Sequence, residues 1–207
     1  VSDYNVAPFK MIVGYDITGN FGNFYLFKER SLFDAYVSIS PLLAPEMESR
    51  VPARLSDLDQ KLFYHLILEG DSSDDNARVL ELHKNLSALD KEGLSYYFDT
   101  YEEADEVSIA TFGLSKAWSR TFEVFKPISP KEYREKLLTS EDPVFDYIRN
   151  KYDTIEELFG FTKQVALNDI MAAYAGIRKK DDYQSLKPLS DLCKEAYPDT
   201  MLGFYFE

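Results

Sequence analysis

Residues 9–27 have the sequence FKMIVGYDITGNFGNFYLF, in which two apolar runs flank a polar segment rich in glycine and asparagine. Glycine and asparagine tolerate the positive φ angles that tight turns require. The pattern therefore predicts a β-hairpin, or a strand followed by a loop. Gly14, Gly19 and Gly22 do not form a phosphate-binding loop, because no Gly-Lys-Ser/Thr sequence follows them.

Most of the chain after this segment has helical periodicity. Residues 62–68 are apolar nearly all round, so we expect a helix over 58–69 that lies centrally in the core. Residues 201–206 are predicted to form a strand that pairs with the N-terminal hairpin. The expected fold is α+β and predominantly α-helical, with a small β-element formed from the N-terminal hairpin and the C-terminal strand. The expected domains are a hairpin with a proline-containing linker, 1–54, and a helical acidic domain, 55–207.

Three further helices have clear local signals. Ser129-Pro130-Lys131-Glu132 combines an N-cap serine, proline at the first helical position and glutamate at the third. Leucines and a valine recur at helical spacing over 79–89. An apolar face over 166–177 leads into Arg178-Lys179-Lys180, and cations are favourable at a helix C-terminus.

The chain is strongly acidic. Its 207 residues contain 36 Asp and Glu against 23 Lys and Arg, a net charge of −13. Such a protein repels nucleic acid and membrane surfaces and attracts basic partners. A lone cysteine, Cys193, excludes an internal disulfide and fits a reducing compartment. No apolar run reaches the roughly 18 residues of a membrane span, and the start lacks a signal peptide's apolar stretch. We therefore expect a cytoplasmic protein that binds neither membrane nor nucleic acid directly.

A family resemblance covers residues 55–176. Residues 91–98, KEGLSYYF, resemble an Asn-Gly-Gly motif followed by an aromatic pair, although Glu92 stands where the family has its first glycine. Other segments on both sides of this motif also match the family in chain order. They are Asp59-Gln60 with Tyr64, the sequences ADEV (104–107) and FGLSKA (112–117), and the closing residues 155–174. The segment is similar to a bacterial family of acidic, all-helical, dimeric proteins that mimic double-stranded DNA. The resemblance implies a helical fold, and a homodimer is left open.

An acidic surface gives this interpretation a physical basis. If 99–110 is helical, Asp99, Glu102, Glu103 and Glu106 fall on one helix face at spacings of about 5–6 Å. Like charges so placed destabilise a helix, and no lysine separates them. The alternative to partner binding is that these acids form a solvated helix face that keeps the protein soluble. The residues predicted to bind a partner are Asp74, Asp75, Asp99, Glu102, Glu103, Asp105, Glu106, Asp142 and Asp146.

The sequence thus favours a non-enzymatic binding protein. The first hypothesis is a DNA mimic that blocks the basic, nucleic-acid-binding surface of a bacterial or phage partner, such as a transcription factor, nuclease, restriction enzyme or CRISPR effector. The second is an immunity protein or antitoxin that neutralises a specific toxin. The third is an enzyme with a carboxylate or metal site.

The sequence offers few residues for catalysis. His65, Glu69 and His83 could be drawn as a metal site, but zinc and iron sites need more strong ligands than these. His65 lies in an apolar run, where a hydrogen-bonded core imidazole is the better interpretation. A cysteine nucleophile would need a histidine nearby, and neither histidine is predictably close to Cys193. We therefore expect no catalytic residue, no metal and no cofactor.

Overall fold

The computed structural model describes residues 6–70 and 74–206. The described chain divides into two compact units. The first unit is Phe9–Phe122, and the second comprises the residues from Glu123 onward together with the segment before Phe9. The domain boundary predicted at residue 54 falls within a helix of the first unit, Met47–Asp57.

A four-stranded parallel sheet is the centre of the first unit. Its strands are β1 (Met11–Tyr15), β2 (Ala35–Ile39), β3 (Leu62–Glu69) and β4 (Leu94–Tyr101), and their order in the sheet follows their order in the chain. Val13 pairs with Val37, Val37 with His65, and His65 with Tyr97. Parallel pairing requires crossover connections, which α1 (Ile17–Asn23), α2 (Met47–Asp57) and α3 (Asp74–Ser87) supply.

This architecture contradicts the expected fold class. The molecule is an α/β protein with a parallel sheet, not a helical domain with a small hairpin. The predicted hairpin over 9–27 is wrong, because β1 leads directly into α1 and then into a 3₁₀ turn, Phe24–Phe27. The predicted strand over 201–206 is also wrong, because Leu202–Tyr205 form a short helix.

The predicted helix over 58–69 is in fact strand β3. All residues from Leu62 to Leu68 are buried, because β3 lies between two strands and has helices on both faces. Strands buried on both faces are continuously apolar instead of alternating. An apolar run of this length is therefore compatible with either structure, and the prediction of burial was correct while that of a helix was not.

The sheet separates two groups of core side chains. Tyr36, Tyr64 and Leu66 face α2 and α3. On the opposite face, Val37 and Ile67 pack with residues of α4 (Ser108–Thr121). Helix α4 packs on β2 and β3. Alternate side chains of one strand point to opposite faces, so each central strand contributes to both groups.

The second unit is helical. Its helices are α5 (Pro130–Glu132, continued as a π turn over Tyr133–Leu137), α6 (Val144–Phe159), α7 (Leu167–Lys180), α8 (Leu186–Ala196) and α9 (Leu202–Tyr205), with 3₁₀ turns at Glu123–Phe125 and Tyr183–Ser185. Two predictions are confirmed here. The Ser129 side chain accepts a hydrogen bond from the Glu132 N–H at 3.1 Å, and α7 ends in the three predicted cations.

A buried carboxylate holds this unit together. Asp169 on α7 is 1% exposed and accepts hydrogen bonds from the Ile128 N–H at 2.7 Å and the Tyr152 hydroxyl at 2.9 Å. The Lys151 ammonium lies 3.7 Å from the same carboxylate and 3.4 Å from Glu132. Buried charges persist only when they are paired and hydrogen-bonded, so these contacts explain why a carboxylate is tolerated at this position.

No helix in the described ranges, 6–70 and 74–206, is long and apolar enough to cross a membrane.

Candidate functional site

The turn between β1 and α1 has an unusual backbone. Asp16, the single residue between the strand and the helix, has φ 53° and ψ −123°. A non-glycine residue with positive φ is uncommon, and this combination is sterically costly for a side chain. Backbone strain of this kind clusters at functional sites, so Asp16 is the first candidate for chemistry.

The residues around Asp16 make this sharp turn sterically feasible. A Cβ on Gly14 would lie 2.3 Å from the Thr18 carbonyl oxygen, and one on Gly19 would lie 3.1 Å from the Gly14 carbonyl oxygen. The strand and the helix therefore approach each other more closely than larger residues permit. The Thr18 hydroxyl fixes the turn, since it donates to the Tyr15 carbonyl at 2.6 Å and accepts from the Tyr15 N–H at 3.0 Å.

Asp16 stands at the carboxyl edge of the sheet. The Asp16 N–H donates to the Ile39 carbonyl at 3.0 Å, the Ser40 N–H to the Ile67 carbonyl at 2.7 Å, and the Gly70 N–H to the Tyr101 carbonyl at 3.0 Å. The four strands are parallel, so their carboxyl ends all lie at this edge. Ligands of open α/β sheets bind outside the carboxyl ends of the strands, so this edge is the candidate active site.

Further acidic groups surround this edge. The pKa of Tyr15 is raised first by burial and then by the negative charges of Glu69, Glu106 and Asp16. Three carboxylates supplied from the ends of β1, β3 and the segment after β4 thus act on one phenol. Carboxylates can serve as nucleophiles or as general bases.

Neither histidine lies at this edge. His65 is fully buried in β3, where its Nε2 is 2.9 Å from the Thr121 hydroxyl and its ring stacks on Tyr97. Burial, with a smaller contribution from the Arg120 charge, lowers the pKa of His65 to about 4. His83 lies on α3, with Nδ1 2.8 Å from the Tyr96 hydroxyl. The core-imidazole interpretation of His65 is therefore confirmed.

Metal and thiol chemistry have no support in the described ranges. No group of three His, Cys, Asp or Glu side chains there could hold a metal ion. His65 belongs to the strand and His83 packs on Phe98 of the neighbouring strand, so neither can join Glu69 in a shared site. Burial raises the pKa of Cys193 to about 11, which disfavours the thiolate that a cysteine nucleophile requires.

Five of the nine acidic residues predicted from the sequence lie in β4 or in the segment between β4 and α4. Asp99 lies within β4 and is ion-paired with Arg120, so the helix assumed over 99–110 is wrong. Glu102 and Glu103 are exposed in the turn after β4. Asp105 receives hydrogen bonds from the N–H groups of Val107 and Ser108, at 3.1 and 2.8 Å, where α4 begins.

Glu102, Glu103 and Glu106 all belong to the segment that follows β4 at the carboxyl edge of the sheet. Asp142 and Asp146 belong to the second unit, and Asp146 pairs with Arg149 at 2.8 Å. Asp74 and Asp75 open α3, but their side chains are outside the described part of the structure. Two residues that matter most at the edge, Asp16 and Thr18, were not among the predicted site residues.

The second unit contains a cavity of about 460 Å³ between α6 and α8. Its charged residues have both signs: Arg149, Lys163, Asp153, Glu156 and Glu195. The described residues that line it include no serine, cysteine or histidine. The sheet edge of the first unit therefore remains the candidate active site.

Comparison with known proteins identifies the architecture. The chain matches an uncharacterised protein from Capnocytophaga ochracea with a TM-score of 0.91 and 26% identity, over 99% of this chain and 58% of that one. It also matches an IroE-like serine hydrolase from Shewanella oneidensis with a TM-score of 0.64 and 17% identity, over 94% of this chain and 61% of that one. The fold is α/β-hydrolase-like. No protein-family model and no curated protein sequence matches the chain.

This fold corrects the functional expectations. A non-enzymatic DNA mimic, an inhibitor and an immunity protein were all inferred from a helical acidic domain, and the chain instead has the fold of a serine hydrolase. The chain spans about three fifths of the length of both matched proteins.

The sharp turn at Asp16, between β1 and α1, fits this fold. In α/β hydrolases the nucleophile sits on a sharp, strained turn from strand to helix, within the pattern G-x-S-x-G. Here Gly14-Tyr15-Asp16-Ile17-Thr18 has that pattern's first glycine and a turn from strand to helix, with aspartate in place of the pattern's serine and threonine in place of its final glycine. The available sequence signal was thus a glycine two residues before an acid, directly after a short apolar run.

Proposed function

We propose that this chain is part of a hydrolase in which the carboxylate of Asp16, not a serine hydroxyl, is the nucleophile. The observation that carries the proposal is the strained backbone of Asp16 at the strand-to-helix turn. Support comes from the fold, in which this turn presents the nucleophile. Aspartate is a known covalent nucleophile, and a carboxylate has no proton that a histidine would have to remove before it attacks.

The chemistry of a carboxylate nucleophile limits the class of substrate that the enzyme could use. Attack by an Asp16 oxygen on a saturated carbon forms a C–O bond as the bond to the leaving atom breaks. A halide departs with the electron pair as an ion, whereas an epoxide oxygen stays on the neighbouring carbon as an alkoxide and takes a proton from water. The product is an ester of Asp16. Attack on an acyl carbon would instead give an anhydride, which is far less stable. We therefore propose a substrate with an electrophilic saturated carbon, such as an alkyl halide or an epoxide.

The second step regenerates the enzyme. Water attacks the carbonyl carbon of the Asp16 ester as a base accepts a proton from the water. The C–O bond to the substrate oxygen then breaks, the base returns the proton to that oxygen, and the alcohol leaves with the Asp16 carboxyl group restored. Glu69, the last residue of β3, and Glu106, in the segment after β4, are the candidates for this base, since both lie where parallel strands end at the same edge as Asp16. The Ile17 N–H, directly after the nucleophile, is the donor that this turn supplies to a developing oxyanion.

The experiment is a hydrolysis screen of the protein from its whole gene, with short haloalkanes, terminal epoxides and aryl acetates. We expect turnover of a haloalkane or an epoxide that Asp16→Asn abolishes. The matched control is Asp57→Asn, at an exposed residue near the end of α2, which should keep full activity. Equal activity of the Asp16→Asn variant and the parent would refute the proposal.

A further inference from the structure

The cavity between α6 and α8 is lined by three parts of the second unit. Helix α6 contributes one face, on which the lining residues recur every three or four positions. Helix α8 and residues 162–165, which join α6 to α7, contribute the rest. The Gln164 side-chain amide donates to the Ala196 carbonyl and so ties this joining segment to α8. The cavity volume of about 460 Å³ lies within the range of pockets that bind small molecules, about 300–1,000 Å³.

The lining is apolar between its charged groups. Ile148, Leu192 and Val165 contribute aliphatic side chains from α6, α8 and the joining segment. Tyr152 is 8% exposed, and its hydroxyl is already hydrogen-bonded to Asp169 at 2.9 Å, so its ring is the part that a ligand would contact. Pockets of this kind hold the apolar body of a ligand, while a few polar groups fix its orientation.

Both cations of the described lining are engaged by the protein itself. The Lys163 ammonium donates to the Phe125 carbonyl at 3.1 Å and lies 5.1 Å from the centre of the Phe125 ring. The Arg149 guanidinium is ion-paired at 2.8 Å with Asp146, which lies outside the described lining. An anionic ligand would therefore have to compete with partners that these cations already have.

The carboxylates of the described lining outnumber its cations by three to two. Glu156 accepts a hydrogen bond from the Thr162 hydroxyl at 2.9 Å. The side chains of Asp153 on α6 and Glu195 on α8 make no hydrogen bond or ion pair within the described ranges, 6–70 and 74–206. The unmatched charge of the cavity is therefore negative, and it comes from both of the flanking helices.

We propose that this cavity binds a small amphipathic amine. The protonated nitrogen pairs with the carboxylates of Asp153 and Glu195, and the apolar body packs on Ile148, Leu192 and Val165. Hydrogen bonds from an ammonium group to carboxylates are charge-assisted and stronger than neutral ones. The proposal is independent of the chemistry assigned to Asp16, because the cavity belongs wholly to the second unit.

The test is calorimetric titration of the protein from its whole gene with phenethylamine and, separately, with phenylpropionate, which has the same apolar body and the opposite charge. The amine should bind at least about fivefold more tightly, and its affinity should fall as the salt concentration rises. Asp153→Asn combined with Glu195→Gln should weaken amine binding about fivefold or more, because both ion pairs are lost. Ala196→Leu should weaken it similarly, because the larger side chain fills part of the cavity.

The matched control is Asp191→Asn combined with Asp199→Asn, which removes two charges from exposed residues outside the described lining. It should leave the affinity within about twofold of the parent's, since exposed charges at a distance are screened by salt. Equal affinity for phenylpropionate would overturn the proposal. An amine affinity that neither the Asp153 and Glu195 double variant nor Ala196→Leu lowers would also overturn it, as would no detectable binding up to about 10 mM amine.

Discussion

The Asp16 N–H donates a hydrogen bond to the Ile39 carbonyl oxygen at 3.0 Å, and this bond extends the sheet one residue beyond the end of β1. The Asp16 carbonyl in turn accepts the Asn20 N–H at 3.2 Å, the first bond of α1. Asp16 is therefore held from both sides, by the sheet before it and the helix after it. These two bonds impose the positive φ of Asp16, so the backbone conformation is set by the fold and not by the side chain.

Asp16→Gly should therefore stabilise the protein. Glycine adopts this backbone conformation without the steric cost that a Cβ adds, so we expect the free energy of unfolding in urea to rise by about 1 kcal/mol. The matched control is Ala53→Gly, at an exposed position in the interior of α2, where glycine should lower stability by a similar amount. If both variants lose stability equally, Asp16 is not strained.

Gly14→Ala should be severely destabilising. The new methyl group would lie 2.3 Å from the Thr18 carbonyl oxygen, which belongs to the backbone and cannot move without opening the turn. We expect a loss of about 3 kcal/mol or more in urea unfolding. Gly22→Ala in α1 is the control, because its nearest neighbour would be a side-chain atom of Ile12 at 3.6 Å. A Gly14→Ala variant as stable as Gly22→Ala would show that the turn has more room than described.

The acid stability of the fold should depend on His65. Its pKa is about 4 in the folded protein and about 6.5 when unfolded, so below pH 6.5 the unfolded chain binds a proton that the folded one does not. The stability present above pH 6.5 is then lost as the pH falls towards 4, by up to about 1.4 kcal/mol per pH unit.

Urea unfolding between pH 4.5 and 7.5 measures this effect. His65→Gln, which keeps a polar group near Thr121, should remove the His65 part of the slope. His83→Gln should change the slope less, because His83 is less buried. If the stability of the parent protein changes with pH as that of His65→Gln does, the low pKa assigned to His65 is wrong.

Asp169 should be essential to the helical unit. Asp169→Ala removes the acceptor for the Ile128 N–H and the Tyr152 hydroxyl and leaves Lys151 without one of its acidic neighbours. We expect a loss of about 3 kcal/mol or more by thermal or urea unfolding. Asp153→Ala on the exposed side of α6 should have an effect of less than about 0.5 kcal/mol. Similar losses for the two variants would show that the Asp169 contacts contribute little.

Local signals in the sequence predicted local structure well. The start of α5 at Ser129 and the cations that end α7 were both recognised, because each depends on residues within one helical turn. The strand β3 was not recognised, since burial on both faces removes the alternation that distinguishes a strand. Its burial is a consequence of β2 and β4, which are distant in sequence.

The candidate site was missed for a related reason. Asp16 lies in a segment whose glycines and asparagines are typical of hairpin turns, and its importance comes from a backbone conformation that only the sheet and α1 together impose. The acidic residues within 99–106 were predicted to bind a partner because of their charge. In the structure Asp99 is ion-paired within β4, whereas Asp105 lies at the start of α4. Residues that are close in sequence here therefore do not form the one helix face that was predicted.

Isotope transfer from water tests most directly whether Asp16 is a covalent nucleophile. The whole-gene protein, in molar excess over a haloalkane or epoxide substrate found in the screen, is allowed a single turnover in H₂¹⁸O, and peptide mass spectrometry then locates the label. Because water attacks the carbonyl carbon of the Asp16 ester, we predict that ¹⁸O enters the Asp16 carboxylate and that the alcohol formed first carries ¹⁶O. An ¹⁸O-labelled alcohol with an unlabelled Asp16 would contradict the account, since water would then attack the substrate directly.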